Sequence, residues 1–164
     1  MLDITSEPRD ETYRALLHAA TRWCDQFVLV DVPSPNFGEH DSQFGPRAKE
    51  VIAALVDHLV SVQKSKSWPG STIGEKPGVD TYARIYRFRL DERAVEILSR
   101  AANGLYAWRQ PTLPRDLSLL RSDGEPWLVN MAADEDAYLQ VTLEEADRVR
   151  EAVPGLELRR HYKH

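Results

Sequence analysis

Apolar side chains recur along the chain with the period of an α-helix in three places. The first stripe runs from Tyr13 to Trp23, with apolar residues three or four positions apart. The second runs from Ala48 to Val62, after Pro46, a residue that suits the first turn of a helix. The third runs from Ala94 to Leu105, and Asp91 stands where it can cap the helix. The sequence therefore predicts three helices, the second of them reaching Val62.

Other segments have the composition or the alternation of β-strands. Phe27 to Val30 is a short apolar run that ends before two prolines, which predicts a buried strand. Tyr82 to Leu90 alternates apolar with basic residues. Two further runs, 117–121 and 127–131, flank Asp123-Gly124, a dipeptide typical of a hairpin turn. These segments predict two strands followed by a hairpin.

The order of the elements favours an α+β fold. Strands predicted at 138–141 and 156–160 extend the hairpin into an antiparallel meander, and Thr142 and Glu145 have the spacing of a capping box that begins a short helix. Helices and strands alternate early and strands cluster late, a pattern that favours α+β over a doubly wound parallel sheet. We expect one domain over residues 1–164, a mainly antiparallel sheet with a C-terminal meander packed by three to four helices.

Composition and charge exclude several classes of protein. The chain has 164 residues, of which 42 % are hydrophobic and 29 % charged, values typical of one globular domain. Its net charge of −5 argues against a nucleic-acid binder, although the middle of the chain has an excess of basic residues, among them Lys64, Arg84, Arg87 and Arg89. One cysteine, Cys24, excludes an intrachain disulfide and a multi-cysteine zinc site.

The sequence predicts a cytoplasmic protein with no membrane-spanning segment. The first residues, Met1 to Glu7, lack the basic and apolar regions of a signal peptide. The longest nearly apolar run, Val51 to Val62, is interrupted by Asp57 and His58 and is too short to cross a bilayer. A lone thiol also fits a reducing compartment.

Three metal-ligand types stand side by side in a polar loop, at Glu39, His40 and Asp41. A metal site needs three or four ligands that converge, and adjacent loop residues seldom point to one place. The pattern favours a solvated loop, and we predict neither a metal nor a cofactor.

The segment from Lys64 to Asp80 is rich in Pro and Gly and is expected to be one long mobile loop. Trp68 within it could anchor a protein interface or fix its own loop to the domain. The segment also suggests an alternative function, a small enzyme or ligand-binding domain in which the loop is a lid. Its candidate residues are Arg84, Tyr86 and Arg87 behind the loop, with Glu39, His40 and Asp41 opposite.

Carboxylates are concentrated near the C-terminus, in a predicted turn and in the helix that follows it. The candidate partner-binding residues are Asp134, Glu135, Asp136, Glu144, Glu145 and Asp147. Acids at the start of a helix are also favoured by the helix dipole, so a solvated face is the alternative. A contiguous acidic surface would dock on a basic partner.

Residues Leu105 to Val141 resemble a pattern in small uncharacterised bacterial proteins. The resemblance rests on Leu113-Pro114-Arg115-Asp116-Leu117, then Asp123-Gly124 and Trp127-Leu128-Val129. Some of those proteins are similar to immunity proteins that are encoded beside polymorphic toxins. In the pattern a His-Glu pair often follows the second strand, but here Ala133-Asp134 or Asp134-Glu135 stands at that place, with no histidine. The resemblance implies a binding protein whose partner is encoded nearby.

The leading hypothesis is a non-catalytic protein-binding module. It would be an immunity-type inhibitor that occludes the basic catalytic groove of a toxin with the acidic face and with Trp68. A homodimer is a further alternative, as a purely structural subunit.

Overall fold

The sheet of this protein is antiparallel at every pairing and carries its helices on one face. The structure, a computed structural model, describes residues 1–33, 42–74 and 81–161. The strands of this part are β1 (Leu2–Ile4), β2 (Gln26–Asp31), β3 (Leu59–Ser65), β4 (Ser67–Trp68), β5 (Ser71–Thr72), β6 (Ala83–Arg89), β7 (Arg115–Leu120), β8 (Pro126–Met131), β9 (Asp136–Leu139) and β10 (Leu158–Arg160). The α-helices are α1 (Asp10–Ala20), α2 (Pro46–Ala54), α3 (Glu92–Ala101) and α4 (Leu143–Ala152).

Eight of the strands form one sheet in the order β10-β1-β9-β8-β7-β2-β6-β3. The meander from β7 to β9 lies at its centre, and β3 and β10 are its two edges. Strands β4 and β5 form a separate short hairpin. The α+β class and the antiparallel meander predicted from the sequence are confirmed.

One row of side chains shows how the sheet builds the core. Phe88, Phe27, Leu119, Leu128 and Leu139 are successive register partners across five neighbouring strands. Each of them is fully buried and packs in one cluster with residues of all four helices. Partners opposite each other in an antiparallel pair point to the same face, so this row defines the helix-covered face.

The β4–β5 hairpin lies against the opposite face of the sheet. Gly70 at its turn has φ +81°, and a Cβ atom there would stand 2.6 Å from Val129 Cγ1 and 3.0 Å from Met131 Cγ. Trp68 packs with Val30 in a second, smaller buried cluster. Glycine is thus required at the turn both by the backbone conformation and by the close approach to β8.

The second predicted helix is wrong beyond Ala54. Helix α2 ends there, a 3-10 turn covers Val56–His58, and the chain continues as β3. Leu59 and Val62 fit a helical stripe, but Val60 and Val62 also fit the alternation of a strand, and β-branched residues favour the strand. Pairing with β6 supplies the backbone hydrogen bonds that decide between the two.

The prediction of one long loop from Lys64 to Asp80 is also wrong for its first half. Lys64 and Ser65 belong to β3, and 67–72 form the β4–β5 hairpin. Residues 75–80 lie outside the described residues. Pro69 and Gly70 form the turn of a tight hairpin here. Pro and Gly are typical of tight turns as well as of open loops, so their presence alone does not distinguish the two.

Two helix starts predicted from local signals are confirmed. The Asp91 side chain accepts a hydrogen bond from Ala94 N at 2.9 Å and caps α3. Thr142 and Glu145 form the complete capping box of α4. Such caps are decided by neighbours in sequence, and this is why they could be predicted without the fold.

Candidate functional site

A tight turn between β8 and β9 presents three consecutive carboxylates. Asp134 ends a 3-10 turn, and Glu135 follows in the left-handed conformation with φ +50°. Glu135 N donates to Ala132 O at 3.1 Å, and Ala132 N donates to the buried Asp116 Oδ1 at 3.0 Å. Asp134, Glu135 and Asp136 are all exposed. The turn is therefore fixed by its own backbone while its acids face water.

The N-terminal segment before α1 adds two more acids to this place. Glu7 Oε2 accepts a hydrogen bond from Tyr106 N at 2.8 Å. Asp10 has a left-handed backbone with φ +51°, and its N–H donates to Asn103 O at 2.7 Å. Glu7, Asp10 and Glu135 line one cleft together with Tyr106. We call Glu7, Asp10, Asp134, Glu135 and Asp136 the acidic end.

Tyr106 shows that these acids share one electrostatic environment. Burial of the phenol and then the negative charges of Asp136, Glu7 and Glu135 together raise its pKa to about 12. The pKa of Arg9 is also raised, first by its hydrogen bond to Glu7 and then by the charges of Asp10 and Glu135. Glu7 and Glu135, about 130 positions apart in the sequence, therefore act on the same two side chains, those of Tyr106 and Arg9.

Three arginines line the cleft of about 470 Å³ at the acidic end, and each is engaged within the chain. Arg9 Nε donates to Glu7 Oε1 at 2.6 Å. Arg109 Nη2 donates to Glu135 Oε1 at 3.2 Å and its Nε to Tyr106 O at 2.8 Å. Arg47 donates to the carbonyl of Ala101, at the end of α3. The cleft itself therefore holds three acids and three arginines. The excess of negative charge at the acidic end comes from Asp134 and Asp136, which lie outside the cleft lining.

The other three predicted acids lie at the opposite end of β9. This strand runs from Asp136 to Leu139, and α4 begins at Leu143. A strand advances about 3.3 Å per residue, so the two groups of acids are separated by the length of β9. The six acids predicted to form one face are thus brought to two places, because an extended strand separates residues that are close in sequence.

The acids of α4 are engaged in stabilising their own helix. Glu145 accepts hydrogen bonds from Arg121 Nη2 at 2.8 and 3.1 Å and from Thr142 N at 3.2 Å. Partial burial raises the pKa of Glu145, but these hydrogen bonds outweigh burial and the pKa lies below its ordinary value. Glu144 pairs with Arg148 at 2.8 Å, and Asp147 pairs with Arg150 at 3.5 Å.

Trp68 is buried within the chain, with 8 % of its surface exposed. Its indole Nε1 donates to Asp116 Oδ2 at 2.9 Å, and the Arg115 guanidinium lies 5.8 Å from its ring centroid. Of the two roles predicted for Trp68, this geometry is that of a tryptophan that fixes its own hairpin. The second oxygen of Asp116 holds Ala132 N, so Trp68 also supports the acidic turn.

The described residues of the alternative, lid-type site do not share one face of the sheet. The register of β6 puts Arg84 and Tyr86 on the helix-covered face and Arg87 on the other. Arg84 lies 3.9 Å from the buried Asp31, and Arg87 Nη1 donates to Gln26 Oε1 at 3.0 Å. The candidate ligands Glu39, His40 and Asp41 lie outside the described residues. Across 1–33, 42–74 and 81–161, no group of three or more His, Cys, Asp or Glu is arranged to hold a metal ion.

The sequence analysis missed Glu7 and Asp10 at the acidic end. Each stands alone in a polar N-terminal segment, and nothing nearby in the sequence distinguishes it. The only local signal is the residue type of Asp10, because Asp tolerates the left-handed conformation better than most residues. Their approach to Glu135 depends on how the N-terminal segment packs beside the end of α3.

No helix in the described part of the chain is long and apolar enough to cross a membrane.

Comparisons with known proteins give this chain no relative. No protein-family model, curated protein or solved structure matches the chain.

Proposed function

We propose that this chain is a non-catalytic protein-binding module that holds a basic partner at the acidic end. The observation that carries the proposal is the state of Asp134 and Asp136. Both are exposed, and neither forms an ion pair with any described residue. They flank Glu135 on a turn whose backbone is fixed, so two carboxylates are held in place and remain available to a partner.

The proposed mode of action is occlusion. A rigid acidic turn can enter a groove lined with Lys and Arg, and its charge speeds the encounter at low salt. A partner of this kind is a toxin with a basic catalytic groove, and the resemblance to immunity proteins implies a partner that is encoded nearby. In this form of the proposal the acids of α4 and Trp68 are not contact residues, since each is engaged within the chain.

The proposal is tested by reversing charge at one end of β9 and then at the other. The probe is the purified product of the neighbouring gene, with binding measured by biolayer interferometry at low and high salt. Asp134→Lys with Asp136→Lys should weaken binding by roughly tenfold or more at low salt, mainly through slower association. The same variant should lose protection in a co-expression toxicity assay.

The matched control is Glu144→Lys with Asp147→Lys, which makes the same change of charge at the start of α4. We expect its affinity to stay within about twofold of the wild type at about 0.15 M salt, because the Debye length there is about 8 Å and is shorter than β9. Equal affinity of the Asp134/Asp136 variant and the wild type contradicts the proposal. Loss of binding in the control alone assigns the interface to α4 instead.

The ligand-binding alternative is supported by one feature, the cleft of about 470 Å³ at the acidic end. Its volume is in the range of small-molecule sites, about 300–1,000 Å³. A thermal-shift screen with divalent metals and nucleotides tests it, because a ligand that binds only the folded state raises Tm. A concentration-dependent rise in Tm with one of these compounds would favour the alternative.

A further inference from the structure

One edge of the sheet gathers most of the apolar side chains that the described residues leave exposed. Seven large hydrophobic residues are exposed in this part of the chain. Five of them lie on β3 or beside it: Val56 (60 %), Leu59 (38 %), Val60 (51 %), Val62 (46 %) and Tyr82 (39 %). Scattered apolar residues need no explanation, but a contiguous group marks a surface that another molecule covers.

The backbone of this edge is also open to a partner. Strand β3 is seven residues long, and within 1–33, 42–74 and 81–161 it pairs with β6 alone. An edge strand presents unpaired N–H and C=O groups on its outer side, and proteins usually protect such edges with charges, prolines or short strands. The opposite edge, β10, has this protection: it has three residues, of which Arg159 and Arg160 are exposed. From Leu59 to Gln63, β3 has no charge and no proline, and the irregularity in its pairing with β6 is confined to the step between Leu59 and Ser61.

The exposed residues of β3 continue the main core. Leu59 is the register partner of Phe88, and Val62 is the register partner of Tyr86. Phe88 is fully buried, and Tyr86 packs against the same cluster. Leu59 and Val62 therefore lie on the helix-covered face, where the apolar layer reaches the edge of the sheet and no described residue covers it fully.

The charges around β3 select the partner. Asp57 precedes the strand, and Lys64 stands near its end. An antiparallel copy of the same strand brings the acidic start of one chain to the basic end of the other, and it places the two apolar centres together. A parallel copy would instead bring like charges together. The strand is thus complementary to itself in the antiparallel direction, which is the requirement for a two-fold interface.

We propose that β3 is the interface between two copies of this chain, paired antiparallel about a two-fold axis to form one continuous sheet. This interface does not involve the acidic end, so it is independent of the proposed partner binding. Each copy covers Leu59, Val60 and Val62 of the other, and each Asp57 faces Lys64 of the other copy.

The first test is the mass of the full chain by light scattering at about 50 µM. We expect about twice the 18.7 kDa of one chain, since two-fold dimers are the commonest oligomers. Val60→Lys with Val62→Lys should yield the mass of a monomer with an unchanged circular dichroism spectrum. The control Leu143→Lys replaces an exposed apolar residue away from this edge and should leave the dimer intact.

The second test does not depend on the folding of the valine variant. Asp57→Lys brings like charges together twice in the dimer and should weaken it by roughly tenfold. The exchange Asp57→Lys with Lys64→Asp should restore the wild-type dissociation constant, because each altered residue again faces its opposite charge. A different protein on this edge would give no such rescue in the isolated chain.

Three results overturn the proposal. The first is a wild type that is monomeric at about 50 µM. The second is a Val60/Val62 variant that folds and still has the mass of a dimer. The third is a charge exchange that does not restore the dimer affinity lost in Asp57→Lys. A wild type that is monomeric alone and binds a different protein through the β3 valines also overturns it, and assigns the edge to that protein.

Discussion

The two ends of strand β9 carry the same kind of side chain and use it differently. At its start, Asp134 and Asp136 face water without an ion-pair partner among the described residues. Beyond its end, Glu145 has 16 % of its side chain exposed and is held by Arg121 and by the backbone of Thr142. The first group is free to meet another molecule, and the second holds its own helix.

The difference teaches that the number of charges in a segment does not say how many are available. A carboxylate that accepts hydrogen bonds from a fixed arginine contributes to stability and is already satisfied. A carboxylate on a rigid turn without such a partner contributes little to folding. Substitution of Glu145, beyond the end of β9, should therefore lower the free energy of unfolding. Substitutions of the acids at its start should weaken partner binding and leave the free energy of unfolding nearly unchanged.

The largest effect on stability is expected for Glu145→Ala. This change removes the Glu145 half of the capping box and the paired hydrogen bonds from Arg121, and we expect it to lower the free energy of unfolding by about 2 kcal/mol. In a chain of this size that is a fall in Tm of about 4–8 °C. Glu144→Ala, one residue earlier and exposed, is the control and should cost no more than about 0.5 kcal/mol. Equal losses in the two variants would contradict the comparison.

A smaller, pH-dependent effect is expected for Glu145→Gln. The pKa of Glu145 is lower in the folded chain than its ordinary value of 4.5. The ionised carboxylate thus stabilises the fold fully above pH 4.5, and this contribution is lost as the pH falls through the folded-state pKa. Urea unfolding should show the wild type more stable than Glu145→Gln by about 1 kcal/mol at pH 7. The difference should shrink below pH 4.5, and a constant difference down to pH 3 would refute the assignment.

The smallest effect is expected at the other end of β9. Asp134→Asn with Asp136→Asn removes two exposed charges that lack an ion-pair partner in the described structure, so the free energy of unfolding should change by less than about 0.5 kcal/mol. Differential scanning calorimetry at pH 7 measures this directly. A loss above about 1 kcal/mol would mean that these acids stabilise the fold and are not reserved for a partner.

Features of the fold that depend on near neighbours could be predicted from the sequence. The stripe of α1, the cap of α3 at Asp91 and the hairpin around Asp123-Gly124 all appear in the structure as expected. Trp127 is buried, although simple alternation along β8 would place it on the same face as Val129. The pairing shifts between Leu119 and Leu120, opposite Trp127, and Trp127 lies in the core while Val129 faces the β4–β5 hairpin.

The edge strand β3 could not be predicted, because its apolar residues fit two periods. A strand exists only where a neighbour accepts its backbone hydrogen bonds, and that neighbour, β6, comes about 20 residues later. For this reason the sequence pattern places Leu59 and Val62, two residues of the proposed interface between copies, in the buried stripe of a helix.

Of the acidic site, the sequence located the turn but not its surroundings. Asp134, Glu135 and Asp136 were recognisable as a cluster, and the three arginines that line the neighbouring cleft were not. Arg9, Arg47 and Arg109 come from three distant segments, and only packing brings them to Glu7, the end of α3 and Glu135.

The sequence by itself determined the α+β class, the presence of four helices and the C-terminal meander, because periodicity, caps and turn residues act over a few positions. It did not determine β1, β3 or the β4–β5 hairpin. The tertiary structure alone decided which charges are paired, that the acids of 134–136 and 144–147 lie apart, and that Glu7 and Asp10 join the first group. It also decided which edge of the sheet is left apolar. The physical reason is that ion pairs and strand pairings are contacts between segments that are distant in the sequence. In addition, an extended strand holds the segments at its two ends apart by its own length, although they are close in the sequence.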